Sequence, residues 1–284
     1  MKKTTRAEKA QETLAIIDRG FYDVNGERID VKDDITYAVS NSQLYRSDEF
    51  DVLLQDVTAK SAALKYHTKI KVVNSTVLEA AAESAQQDER VGCLNFASAK
   101  NPGGGFLGGA FAQEESLALS SALYATLTKH FEMYEYNRSR PTLLYSDHMI
   151  WSPETVVFRN DDGHLLADPY KMSFITSPAV NVGAIKNNRP EEMMHTEETM
   201  LRRMDKVLAL FVHHNIKHLL LGAWGCGVFR NDPKDIARYF SFYLLNGGKY
   251  SQCFKSVVFA VLDKSKDGSN IAAFNSAFLP PPIQ

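Results

Sequence analysis

Two hydrophobic rhythms divide the chain. A charged stretch bearing Ala, Leu and Ile runs from Thr5 to Arg19 and meets Gly20, which predicts an N-terminal helix with Thr5 as cap and the glycine as stop. Residues 21–66 mix short apolar groups with acidic ones, as in Ser47-Asp48-Glu49-Phe50-Asp51-Val52-Leu53-Leu54, and predict further short helices. From about Lys69 the rhythm changes. Ile70–Asn74 and Val91–Phe96 read as strands, Thr76–Glu83 as a compact Ala-rich helix, and Gln113–Lys129 as a long helix. Strand-like runs return at Met172–Ser177, His218–Ala223 and Ser256–Leu262, with helices at Pro190–His214 and Asp232–Leu245 between them. Met149–Arg159, broken by Pro153 and followed by Asn160-Asp161-Asp162-Gly163, reads as a hairpin. Strands alternating with helices imply an α/β layer fold with a largely parallel or mixed sheet. There is no internal repeat, and Pro280-Pro281-Pro282 closes the sequence given.

Composition narrows the classes. The 284 residues carry 32 Lys+Arg against 34 Asp+Glu and are 44% hydrophobic, which excludes intrinsic disorder and fits one large domain or two small ones. A formal charge of −2 excludes a broad electrostatic grip on nucleic acid or anionic lipid, so any anion must be held at a local site. The basic Met1–Arg6 is followed by Ala7-Glu8-Lys9-Ala10-Gln11-Glu12, where a signal peptide needs an apolar run, and no window nears the ~20 apolar residues of a membrane span. Cys93, Cys226 and Cys253 lack CxxC spacing and fit reduced, mostly buried thiols; a cytoplasmic address is expected.

Glycine placement is more telling. Of 16 glycines, five fall at Gly103, Gly104, Gly105, Gly108 and Gly109 and three at Gly222, Gly225 and Gly227, each group after a predicted strand and before a helix. Such loops bring backbone N–H groups close to a ligand, and a helix N-terminus behind them favours phosphate. Two of them at carboxyl ends of strands point to a ligand cleft at that edge of the sheet. No Walker A motif is present. Gly103-Gly104-Gly105-Phe106-Leu107-Gly108 nominally matches the dinucleotide fingerprint, but it begins seven residues after Phe96, too far from the strand for that turn.

Gln113-Glu114-Glu115 opens the next helix directly after the glycine-rich segment. Acidic residues in a first turn often only complement the helix dipole. Here the preceding loop would lay both carboxylates beside bound substrate. Neighbours on a helix point about 100° apart, so the two glutamates serve different tasks.

The string Asn95-Phe96-Ala97 through Pro102-Gly103-Gly104-Gly105, then seven residues and Gln113-Glu114-Glu115, resembles the signature of poly(ADP-ribose) glycohydrolases, nearest the compact microbial-type branch. Gly222-Ala223-Trp224-Gly225-Cys226-Gly227-Val228-Phe229 is similar to that family's diphosphate loop. The resemblance implies a macrodomain-like three-layer α/β/α domain with a mixed sheet over residues 67–284, preceded by a helical N-terminal region, 1–66, packed on it. It implies hydrolysis of the ribose–ribose O-glycosidic bond of poly(ADP-ribose), with ADP-ribose as product, from the chain end.

By the motif, Glu115 is the general acid/base and Glu114 holds ribose hydroxyls. Gly103, Gly104, Gly105 and Gln113 line the substrate, and backbone N–H groups of Gly225, Cys226, Gly227 and Val228 face the two phosphates. Phe229 packs on the terminal ribose. Asn95 and Asn101 flank the first loop as ribose contacts, and Ser177–Asn181 is placed to frame the adenine side. No cofactor or metal is implied, and the chemistry needs only a carboxyl able to give and take a proton. His213, His214 and His218 lack a ligand set, and the basic-aromatic run His130–Arg140 reads as a solvated helix end. Three alternatives remain: a hydrolase of single ADP-ribose units on protein, a reader without turnover, and a nicotinamide-dependent oxidoreductase.

Overall fold

The computed structural model describes residues 1–84, 89–245 and 247–279; the proline run at 280–282 lies outside them. Its helices are α1 (Lys3–Arg19), α2 (Lys32–Asn41), α3 (Phe50–Ala63), α4 (Val77–Ser84), α5 (Gln113–Ser120), α6 (Leu123–Lys129), α7 (Glu132–Ser139), α8 (Val182–Asn188), α9 (Thr196–His213), α10 (Pro233–Leu244) and α11 (Ser269–Phe278). Its strands are β1 (Phe21–Val24), β2 (Glu27–Asp30), β3 (Gln43–Tyr45), β4 (Lys69–Val73), β5 (Val91–Phe96), β6 (Met149–Arg159), β7 (Leu165–Ser177), β8 (His218–Leu221) and β9 (Ser256–Ala260).

Seven strands form one mixed sheet in the order β3-β6-β7-β5-β8-β9-β4. Strands β7, β5, β8, β9 and β4 run parallel, while β6 lies antiparallel to both β7 and β3. Continuous apolar runs suit strands buried on both faces. Successive residues of one strand accordingly enter different cores: Leu94, Trp151 and Ile175 pack with Leu208, Phe211, Phe240 and Phe259, whereas Cys93, Ile150 and Phe174 pack with Leu78, Leu117, Leu127 and Tyr134. The carboxyl ends of β5, β7, β8, β9 and β4 share one edge, and both glycine loops leave from it.

Several local expectations change. Helix α1 begins at Lys3 without a side-chain cap, so Thr5 lies inside it, while Gly20 closes it at φ 79. Residues 21–66 hold more than helices. An Asn25-Gly26 turn with both φ positive (54° and 83°) joins β1 to β2, and β3 adds an edge to the main sheet. The long helix at 113–129 is two helices. Ser121 is extended there, bridges Val157, and caps both ends, its hydroxyl bonding Leu117 O and Leu123 N at 2.7 and 3.2 Å. Pro190–His195 is a 3₁₀ turn before α9. Met149–Arg159 is a single hairpin arm: Pro153 shifts its register between Ser152 and Thr155 instead of ending it.

Candidate active site

Strands β5 and β8 are parallel neighbours, so the loops that follow Phe96 and Leu221 open side by side. Gln113 joins the first loop to the sheet. Its Oε1 accepts from Phe96 N–H and its Nε2 donates to Leu94 O, both at 2.8 Å, as a neighbouring strand would. The amide expected to meet substrate is thereby spent on aligning the start of α5 with the end of β5.

That alignment fixes the two glutamates. Glu114 is 3% exposed, its Oε2 accepting from Ser98 N–H at 2.6 Å and its Oε1 from Asn95 Nδ2 at 3.3 Å. Asn95 is itself fully buried and also bonds Thr176 Oγ1, so it supports Glu114 from beneath and does not reach the cleft. Glu115 is half-buried, with Oε1 accepting from Gly105 N–H at 3.0 Å. Gly104, at φ +60, passes between the carboxyls, and a Cβ there would overlap Glu115 Oε1 and lie 3.3 Å from Glu114 Oε2. Gly103 faces Phe106 and Tyr124. Asn101 stays at the exposed rim of the cleft, its Oδ1 taking a bond from Arg138 at 3.1 Å.

Burial pushes the Glu114 carboxyl up to about 8, reinforced by the charge of Glu115 and opposed by the Ser98 N–H and the Asn95 amide. A carboxyl that binds its proton up to about pH 8 when folded, against an ordinary value of 4.5, makes the native state hold more protons across that window. The contribution of Glu114 to stability therefore falls as pH rises from 4.5 through 8. Relative to Glu114→Gln, the wild-type thermal midpoint is expected to drop between pH 5 and 8.5, against a background set in both by the histidines whose titration burial lowers; parallel profiles would exclude a raised Glu114 carboxyl.

The second loop is built on Trp224, fully buried and donating from Nε1 to Ser177 O at 3.1 Å. Asn231 Nδ2 closes it by bonding Gly225 O and Val180 O. Cys226 N–H donates to Ala223 O, which removes it from the expected phosphate donors. Among the described residues, the N–H groups of Gly225, Gly227 and Val228 have no protein partner and remain available. Burial pushes the Cys226 thiol up to about 12, so the position at a helix approach does not make it a nucleophile.

The two loops enclose one cleft of about 430 Å³, lined by Gly104, Gly105, Glu114, Glu115, Gly225, Gly227, Val228 and Phe229. Beyond Phe96, Gln113 and Ala223 it continues into an apolar chamber of about 260 Å³, walled by Val77, Leu78, Phe111, Val261 and Leu262 and carrying Asp161 and Asn270. From the Ser177–Asn181 segment only Ala179 reaches the cleft, beside Phe229, so the chamber wall comes from elsewhere. Ser98, Asn231, the chamber residues and the buried supporting role of Trp224 were not foreseen. Among the described residues no group of three or more His, Cys, Asp or Glu is arranged to hold a metal, and His214 instead stacks on Trp151 at 3.9 Å.

Fold and site together define an α/β protein that sets two adjacent glutamates into a glycine-lined cleft at the carboxyl edge of its sheet. Residues 10–160 match the family described as microbial-type PARG, catalytic domain. No curated protein matches the chain. Among solved structures, the poly(ADP-ribose) glycohydrolase of Thermomonospora curvata is 43% identical with a TM-score of 0.92, over 97% of this chain and 100% of that one. Its complex with the inhibitor ADP-HPD is 42% identical with a TM-score of 0.89 over the same shares. The Deinococcus radiodurans enzyme in complex with ADP-ribose is 38% identical with a TM-score of 0.82, over 86% of this chain and 97% of that one. The chain belongs to the microbial-type poly(ADP-ribose) glycohydrolase family and is a glycosidase.

Proposed function

We propose that the chain hydrolyses the ribose–ribose O-glycosidic bond of poly(ADP-ribose) from the chain end, releases ADP-ribose, and uses Glu115 as general acid and base. The observation that carries this reading is the single cleft shared by both glycine loops and both glutamates. The terminal diphosphate lies against the free N–H groups of Gly225, Gly227 and Val228, and its adenosine enters the apolar chamber past Phe96 and Phe111. Phe229 packs on the terminal ribose, and Glu114, held by Ser98 and Asn95, accepts from a ribose hydroxyl.

Glu115 then protonates the leaving 2′-oxygen of the neighbouring unit as the C1″–O bond breaks and positive charge develops on the terminal ribose. The resulting carboxylate takes a proton from water, whose oxygen bonds C1″. This restores the acid and completes ADP-ribose. Asn101 at the rim and Gly103–Gly105 along one wall complete the ribose subsite. Substrate is thus the polymer or ADP-ribosylated protein.

The raised Glu114 carboxyl favours a second assignment in which the two glutamates exchange roles. Glu114→Gln and Glu115→Gln separate them, because the acid/base variant loses kcat and the ribose-holding variant mainly raises KM. A length-defined polymer tests the chain-end reading. Shortening by one unit at a time supports it, and early fragments of intermediate length overturn it. Mono-ADP-ribosylated protein assayed beside it decides between polymer and single-unit hydrolysis.

We read residues 67–284 as the macrodomain-like catalytic part and residues 1–66 as a segment packed on it. Contacts supporting this include Thr13 Oγ1 donating to Leu119 O at 2.6 Å and buried Arg159 bonding Glu12 at 3.0 Å. No helix among the described residues is long and apolar enough to cross a membrane. A cytoplasmic location is supported by three free cysteines.

A further inference from the structure

After Gly105 the first loop leaves the sheet edge and rests on the start of α1. Gly109 meets that helix directly. At φ +72, a Cβ there would overlap Lys3 O and lie 3.2 Å from Ala7 N. Arg6 ties the contact, its Nε donating to Gly109 O at 2.9 Å while Nη1 donates to Met1 O at 2.6 Å. The same guanidinium stands 5.2 Å over the ring of Phe111, a wall of the apolar chamber. Inward from Gly109, the N–H groups of Gly108 and Ala110 both donate to Gly105 O, at 3.0 and 3.1 Å. Gly105 N–H in turn donates to Glu115 Oε1 at 3.0 Å. Hydrogen bonds, joined through the Gly109–Ala110 peptide unit and the backbone of Gly105, therefore connect Arg6 to the carboxylate expected to carry the chemistry.

We propose that Arg6 is a positioning residue for the hydrolysis: through Gly109 and Gly105 it sets the Glu115 carboxyl against the leaving oxygen, and through Phe111 it shapes the adenosine chamber. This rests on the reading of Glu115 as acid/base. The physical need is plain, since seven residues containing two adjacent glycines, Gly108 and Gly109, separate Gly105 from Gln113 and have little intrinsic preference for one shape. A planar guanidinium fixed at two carbonyls and an aromatic ring gives that loop a rigid outer support. Catalytic rates fall steeply when a reacting group moves by ~1 Å.

The test is steady-state hydrolysis of polymer by wild type, Arg6→Ala, Arg6→Lys, Glu8→Ala and Glu115→Gln, with thermal midpoints alongside. Arg6→Ala is expected to lower kcat about tenfold and raise KM about threefold, with little change in midpoint. Guanidinium at roughly tens of millimolar should restore part of that kcat, and Arg6→Lys should fall between the two, because a cation over Phe111 survives while the fork is lost. Glu8, exposed on the same helix, should be neutral when changed to Ala. Wild-type kcat in Arg6→Ala overturns the proposal, as does a loss that tracks the midpoint and ignores guanidinium. Retained turnover in Glu115→Gln would instead overturn the acid/base assignment on which it rests.

Discussion

Glu115→Gln is expected to lower kcat for ADP-ribose release about a thousandfold while ADP-ribose affinity stays within about threefold, because positioned proton transfer contributes about 10²–10⁴. The substitution is nearly isosteric. The glutamine oxygen still accepts from Gly105 N–H, so the loop keeps its shape. What disappears is the proton, needed first at the leaving oxygen and then returned from water. The free N–H groups of the second loop and the chamber are untouched, which is why binding and turnover should separate. Rate and calorimetric affinity on the same preparation check this, and turnover within tenfold of wild type would remove Glu115 from the chemistry.

Gly104→Ala should be the next most damaging change, lowering kcat about a hundredfold, the scale on which a ~1 Å displacement of a reacting group acts. The added Cβ would overlap Glu115 Oε1 and approach its Cδ to 2.9 Å, at a residue whose φ of +60 already disfavours any side chain. The backbone has little room to yield, since Gly104 N–H is bonded to Asn101 O at 3.0 Å. The carboxylate must move instead. Gly108→Ala is the control, because a Cβ there meets nothing within 4 Å. If the two variants hydrolyse polymer equally fast, crowding of Glu115 is not the reason for glycine at 104.

The parallel core was legible because β5, β8 and β9 are local apolar runs whose burial on both faces leaves a plain mark. Strand β3 was not, since Gln43–Tyr45 is too short to show a period and exists only by pairing with Met149–Trp151. The Asn25-Gly26 hairpin carried a readable turn signal that the acidic, mixed surroundings masked. Within the site, the glycines and the adjacent glutamates were legible as one contiguous string. The tasks of Asn95 and Gln113 were not, because which polar side chain faces ligand and which is consumed by backbone is decided by packing from β7 and β5.

The apolar chamber was hidden for a topological reason. Residues 75–78, 111, 261, 262 and 270 follow strands far apart in sequence and meet because β4, β9, β8 and β5 lie in that order, with Asp161 added from the turn between β6 and β7. Near-balanced charge also finds its place here. On the proposed reading, two phosphates meet backbone N–H groups inside a cleft, so a chain of net charge −2 needs no basic surface to take one unit of a polyanion.

The most direct measurement of the central claim is the product formed from poly(ADP-ribose) in ¹⁸O-labelled water, read by mass spectrometry at early times. Cleavage at C1″ predicts ADP-ribose carrying the label on its anomeric oxygen. Phosphoribosyl-AMP, or label on a phosphate, would contradict it.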